Sequence, residues 1–458
     1  MNITLAGVLA YVVAQLLIGA WVARRIRTEE DYLIAGRRLG YPLAIFTIFA
    51  TWFGAETCIG AAGAIYESGL SGGSADPFGY ALCIVLLGAV FAVPLWRRKL
   101  TTLADLFRQR YSPSVERLAV LLMVPTSLLW AAAQIRAFGQ VLAASSTLEV
   151  EITISIAAAV VIVYTVSGGL LADAITDFVQ GIALIIGLVI LFTVVMLNGG
   201  AEAVRTIEPE RLHLFGGNVP LIEVIEAWAI PIIGSVTAAE LVARVIATRS
   251  PQVAQRSCFS AAGIYIAAGM IPVSLGLAGA SLLPGLEDPE QLLPLLALEN
   301  LSPVLYMVFA GALVSAILST VDSALLVSAS LVSHNVIVPL RPGIDERAKV
   351  RYARIGVVFF GLLAYIMAMY AEGVYSLVEQ ASAFGSAGIF VVVVFGLFSK
   401  RGHSASAIAA LLTGVIVWIV GSYILELPWA YLAALGSSLV AYVATALFDS
   451  APFQEATA

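Results

Sequence analysis

The stretch Phe49-Ala50-Thr51-Trp52-Phe53-Gly54-Ala55-Glu56-Thr57, with Gly60 and Gly63 soon after, is an apolar run that makes a poor helix in its middle. Glycine loosens the helical backbone, and Glu56 puts a carboxylate into surroundings otherwise fit for lipid. The same combination returns in a second apolar run, where Pro231, Gly234, Thr237 and Glu240 interrupt the helix. A break at membrane depth is tolerated where the freed backbone is buried in protein or lines a cavity, and there its carbonyls can hold an ion. The plainer alternative, glycines that only let helices pack closely, explains one break better than two at matched positions.

Around these breaks the chain has 458 residues, 60% of them hydrophobic and 12% charged, with a mean hydropathy of +0.97. Soluble domains carry roughly 25% charged residues. At roughly 20 apolar residues per crossing, this composition specifies an all-α polytopic membrane protein. The net charge of -6 and the lack of a basic stretch exclude a nucleic-acid binder. The absence of a phosphate-binding glycine-lysine loop leaves nothing to suggest a nucleotide-driven pump. Cys58, Cys83 and Cys258 fall in apolar stretches and His213, His334 and His403 are scattered, so no zinc-type ligand set can be assembled.

The first apolar run, 3–22, is followed by Arg24, Arg25 and Arg27 and preceded by no basic residue. It reads as a retained helix with its N-terminus outside, not as a signal peptide. Twelve further runs follow at 43–65, 78–96, 118–142, 152–166, 175–197, 222–246, 261–283, 304–337, 355–370, 374–398, 405–425 and 429–448. Threading them alternately puts 21 of the 24 basic residues on the cytoplasmic side, Arg205 and Arg211 outside, and Arg136 within a span. The expectation is 13 transmembrane helices in one domain, 1–458, in the plasma (inner) membrane, with the C-terminus cytoplasmic. Spans 2 to 6 and 7 to 11 are two sets of five, core repeats of about 41–198 and 220–400, and each opens with an interrupted helix. Five is odd, so the second set enters from the opposite side. This is the five-plus-five inverted-repeat layout of a secondary transporter, with its site at the midplane. One extra N-terminal and two extra C-terminal helices flank that core.

Span 9 carries a polar stripe of Ser315, Ser319, Thr320, Asp322, Ser323, Ser330 and Ser333. Most of it shares one helical face. Its hydroxyls suit a small hard cation if the broken span supplies carbonyls, and they equally suit hydrogen bonds between helices. Ionisable residues within spans cost roughly 2.5–3.5 kcal/mol each on insertion scales, so each needs a reason. They are Glu56, Arg136, Asp173, Asp177, Glu240, Asp322 and Glu379. Asp173 and Asp177 stand where span 6 begins and read as helix caps. Arg136 reads as a partner for Glu56 or Glu240, which otherwise meet substrate.

Several segments together resemble the solute:sodium symporter family. They are Asp31 through Arg37, Gly63 through Gly69, Tyr164 through Gly168-Gly169-Leu170, Thr176 through Gln180, and Leu318 through Ser323. The likeness runs over residues 1–425 in family order. It is nearest to the high-affinity choline transporter branch, on Ala50-Thr51-Trp52, Gly79-Tyr80, Trp130-Ala131-Ala132-Ala133 and Ser319 through Ser323. The resemblance implies a leucine-transporter-like fold and Na+ as coupling ion. It places the ion on the carbonyls of Ala50, Phe53 and Ala316 and the hydroxyls of Ser319 and Thr320, with Asp177 near the cytoplasmic exit path. Trp52, Tyr80 and Trp130 fall on positions of a cage for an organic cation, whereas the branch's further tryptophan is Ala238 here.

With Glu56 and Glu240 flanking that cage, the implied substrate is an organic cation or zwitterion, imported by sodium-coupled symport through alternating access. An enzyme is not expected, since no nucleophile-and-base set lies on span 9. The alternatives are a transporter-like solute sensor, or a symporter for an amino acid or carboxylate. Sensor modules carry a long signalling region, and this chain ends about ten residues after Phe448. The expected partners are a small-molecule solute and the lipid bilayer, with no nucleic acid and no obligatory protein partner.

Overall fold

The computed structural model describes residues 28–448, apart from 145, 168, 169, 218 and 342, together with Val13. The expected first span, its trailing arginines Arg24, Arg25 and Arg27, and the Gly168-Gly169 pair lie outside the described residues, Val13 excepted. The described residues form helices and no strand, with one isolated bridge between Leu39 and Thr248.

Helix α1, Tyr41–Ala50, opens with Pro42 in its first turn, where a missing N–H costs nothing. Its regular ladder stops at Ala50, and residues 51–54 form turns. The chain resumes as a π-helical stretch, Glu56–Ala61, and then α2, Ala62–Ser68. The next apolar run holds α3, Tyr80–Leu86, and α4, Ala92–Arg97, separated by another π-helical stretch, Leu87–Phe91. After the short α5, Ala104–Arg110, come the long α6, Pro113–Ala144, then α7, Val150–Ser167, and α8, Leu170–Val195.

The second break falls where Pro231 and Gly234 predict it. Helix α9, Leu221–Ala229, runs into a π-helical stretch, Ile230–Gly234, and α10, Ala239–Ile246, leaves at 41° to that first half. A Cβ on Gly234 would collide with the Ser382 carbonyl oxygen, so only glycine lets these backbones approach. Besides short helices such as Glu29–Ile34, Ala201–Arg205 and Val338–Leu340, there follow α11, Pro251–Leu282, α12, Leu292–Asn300, α13, Pro303–Val332, α14, Glu346–Tyr370, α15, Val374–Ala383, α16, Ser386–Phe398, α17, Ser404–Tyr423, and α18, Ala430–Phe448. The run 374–398, read from sequence as one span, is bent by 40° between α15 and α16. Gly385, at φ +67°, makes that turn, a left-handed conformation a side chain would strain.

Every residue from 309 to 331 of α13 is buried. Buried on every side, its polar stripe included, α13 lies at the centre and packs against α6, α8 and α14. The peripheral helices turn large apolar side chains outward, among them Leu362 and Ile366 on α14 and Ile416 on α17. Hydrocarbon solvates such faces. Among the described residues, eight helical stretches are long and apolar enough to cross a membrane, ten if each bent pair counts as one, with Tyr41–Ala50 and Val150–Val166 as shorter apolar helices. Cys58, Cys83 and Cys258 are buried free thiols.

Candidate functional site

The break after α1 frees the Ala50 carbonyl, and α13 meets it there. Thr320 Oγ1 donates across the helix interface to Ala50 O at 3.0 Å and back along its own helix to Ala316 O at 3.3 Å. At Gly54 the broken backbone lies against Ala316, whose carbonyl carbon would sit in ordinary contact, 3.5 Å, from a Cβ at that position. Three of the five sequence-derived sodium positions are thus directly connected. Phe53 lies within the same break, buried, its ring stacked on Phe49 with centroids 4.5 Å apart.

Ser319 donates to Asp177 Oδ1, and Thr47 donates to the other oxygen of the same carboxylate. A hydroxyl that gives away its hydrogen keeps two lone pairs, so this contact leaves Ser319 Oγ able to face a cation. The reading of Asp173 and Asp177 as helix caps is corrected. Asp173 forms an ion pair with Arg244 Nη2 at 2.7 Å, both side chains fully buried, and also accepts from Ser323 Oγ at 2.7 Å. Span 6 is therefore cross-linked to α10 and α13 through these carboxylates, because two successive helical turns face the packed interior.

A second set of contacts climbs α6. Ser127 donates to Glu240, Trp130 stacks on Trp52 with centroids 5.6 Å apart and planes at 16°, and Gln134 Nε2 donates to Glu56 Oε1 at 2.7 Å. Farther on, Arg136 lies 3.6 Å from Glu290, and Gln140 Nε2 donates to Asp288 Oδ2 at 2.9 Å. At 1.5 Å rise per residue these rungs cover about 20 Å of helix. Tyr80 completes the aromatic group at 4.9 Å from Trp52 and 5.9 Å from Trp130. Its hydroxyl lies 2.9 Å from Ser382 Oγ, which also accepts from Ser235 Oγ at 3.0 Å. Both breaks and the bend after α15 thus converge on one cluster.

The expected pairing of Arg136 with Glu56 or Glu240 is corrected as well. Residues two apart on a helix point to different sides, so Gln134 faces Glu56 while Arg136 turns to Glu290 and donates to the Glu372 carbonyl at 3.2 Å. Arg136 and Glu290 line a cavity of about 560 Å³ together with Glu67, Glu287, Asp288 and Glu372. Burial holds the Glu290 carboxyl above its ordinary value, offset in part by the Val374 N–H and Arg136. A far smaller cavity, of about 20 Å³, lies between Ser127, Ala238, Glu240 and Ser386, where Ala238 supplies no bulk.

Sequence reasoning missed Asp76, which accepts from Thr57 Oγ1 at 2.8 Å and from the Tyr265 hydroxyl at 3.0 Å. The run was read as starting at 78, and an acid directly before Pro77 was the available signal. Gln134, Ser235 and Ser382 escaped notice because uncharged polar residues are common in membrane helices.

A helical bundle whose broken helices gather carbonyls, hydroxyls and carboxylates at its centre defines a multi-pass membrane transporter. The chain belongs to the sodium:solute symporter family, whose model matches residues 32–414. That family consists of sodium-coupled transporters, not enzymes. Among curated proteins the chain is 28% identical to the human high affinity choline transporter 1, over 94% of this chain and 78% of that protein. It is 27% identical to the Staphylococcus aureus sodium/proline symporter, over 85% of this chain and 80% of that one. A solved Na+-coupled sialic acid symporter superposes with a TM-score of 0.86 over the full length of both chains, at 20% identity. Mhp1, a nucleobase-cation-symport-1 family transporter, superposes at 0.59 and 16% identity, over 93% of this chain and 97% of that one.

Proposed function

We propose that the chain is a single-domain symporter, 1–458, that couples import of a small organic cation or zwitterion to Na+ by alternating access. The observation that carries this reading is the convergence of both helix breaks. Thr320 ties the Ala50 and Ala316 carbonyls, while Ser382 ties Tyr80 to Ser235 in the second break. Carbonyls and hydroxyls of this kind suit a small hard cation, so Na+ is assigned to Ala50, Phe53, Ala316, Ser319 and Thr320, with Asp177 leading toward the cytoplasm. Trp52, Tyr80, Trp130, Glu56 and Glu240 are assigned to the solute. The 13-span count takes Tyr41–Ala50 with the start of Glu56–Arg97 as span 2 and the rest of that stretch as span 3, and adds Val150–Val166 and the first run to the nine other long or bent spans. In this arrangement the repeats of about 41–198 and 220–400 are inverted, the N-terminus is outside the plasma membrane, and the large acidic cavity opens outward.

The deciding experiment is a solute panel of amines, amino acids, carboxylates and vitamins, tested on purified protein by thermal shift with and without Na+. Two ligands of one state promote each other's binding, so a solute whose stabilisation grows with Na+ is expected. A panel in which Na+ strengthens nothing would end the coupling claim. Thr320→Ala and Ser319→Ala are each expected to raise the Na+ concentration for half-maximal uptake about tenfold, equivalent to ~1.4 kcal/mol of ion binding. Unchanged sodium activation in both variants removes the ion assignment.

A further inference from the structure

Trp52, Tyr80 and Trp130 offer ring faces to any cation, but the rung beside them on α6 is more selective. Glu56 follows Trp52 by four residues, Gln134 follows Trp130 by four, and the two are hydrogen-bonded to each other. Glu56 is 2% exposed and Gln134 is fully buried. Their remaining oxygens, Glu56 Oε2 and Gln134 Oε1, have no hydrogen-bond partner. The amide oxygen only accepts, and so does the Glu56 oxygen as a carboxylate. Among the described residues no ion pair joins Glu56 to a base, and Arg136, two residues beyond Gln134, is engaged by Glu290. A buried carboxylate without a cationic partner is costly. A ligand that satisfies this place must bring positive charge and N–H donors together.

We infer that Glu56 is the counter-ion and Gln134 the second acceptor for a protonated, N–H-bearing ammonium of the transported solute, so that primary and secondary amines are selected over quaternary ones. The inference rests on the symport reading above and narrows its substrate class. A quaternary ammonium satisfies the rings but leaves both oxygens unpaired. A small inorganic cation prefers a cage of oxygens, whereas these two stand four residues from Trp52 and Trp130, a neighbourhood of indoles that an alkylammonium suits.

The test uses two series that differ only in N-methylation: ethanolamine through its mono- and dimethyl derivatives to choline, and glycine through sarcosine and dimethylglycine to betaine. Na+-supported binding of the full-length protein is expected to fall along whichever series binds, with the quaternary end at least about 100-fold weaker, because a site built to hydrogen-bond rejects an analogue lacking the donor. Glu56→Gln is expected to bring the two ends within a few-fold of each other. Stabilisation of that variant by Na+ alone, as in the native chain, shows that it folds.

Equal or tighter binding of choline or betaine by the native protein overturns the inference, as does failure of both series to bind. It is also overturned if Glu56→Gln loses the Na+ response but keeps the native amine order, since Glu56 would then serve the ion. If Na+ strengthens no solute, coupling fails, while the methylation order still decides the amine site.

Discussion

Arg244→Met is expected to destabilise the protein by about 3–5 kcal/mol, because removing one partner of a buried ion pair leaves the other charge uncompensated. Arg244 and Asp173 are both fully buried at 2.7 Å, and Ser323 binds the pair from α13. Water cannot enter to solvate a stranded Asp173. The measurement is thermal unfolding of detergent-purified protein, where the variant melts well below the native chain. Asp173→Leu on the same background is expected to restore most of the loss, since two apolar groups replace an ion pair at little cost. A single variant as stable as the native protein, or a double variant no better than the single, would show that the pair does not hold these three helices together.

Trp130→Leu is expected to weaken apparent affinity for the solute about 30-fold, equivalent to ~2 kcal/mol for a desolvated cation over an indole face. Leucine keeps apolar bulk beside Trp52 and Tyr80 but has no ring quadrupole. Trp52 and Trp130 are nearly parallel with centroids 5.6 Å apart, too close to admit a cation between them. The cation must therefore meet the rings from their outer faces and edges. Uptake kinetics against solute concentration distinguish the outcomes. Trp130→Phe should recover part of the affinity, and the Na+ dependence should stay native in both. Wild-type affinity in Trp130→Leu would dismiss the aromatic contact.

The two helix breaks were legible because their causes are local. Gly54 and Pro231 with Gly234 act on their own turn of backbone, and the structure interrupts the helices there. The convergence of Trp52, Tyr80 and Trp130 was legible only through family resemblance, since nothing local brings positions 52 and 130 together. Charge pairing was not legible. Arg136 meets Glu290, 154 positions away, and Arg244 meets Asp173, 71 positions away. Which helix face turns to which neighbour depends on the rotation of whole helices, and hydropathy does not report it. The bend at Gly385 was hidden for a related reason: an apolar run of full length reads as one helix unless the demand for a left-handed residue is noticed.

The contacts along α6 share one helix but divide their partners. Glu240 belongs to α10, Trp52 to the first break, Glu56 to the turn after it, and Glu290 and Asp288 to the segment before α12. On the proposed reading, a solute that follows this helix meets these partners one after another and not all at once. The helix would then serve as a handrail, dividing one steep dehydration barrier into a staircase of shallower steps.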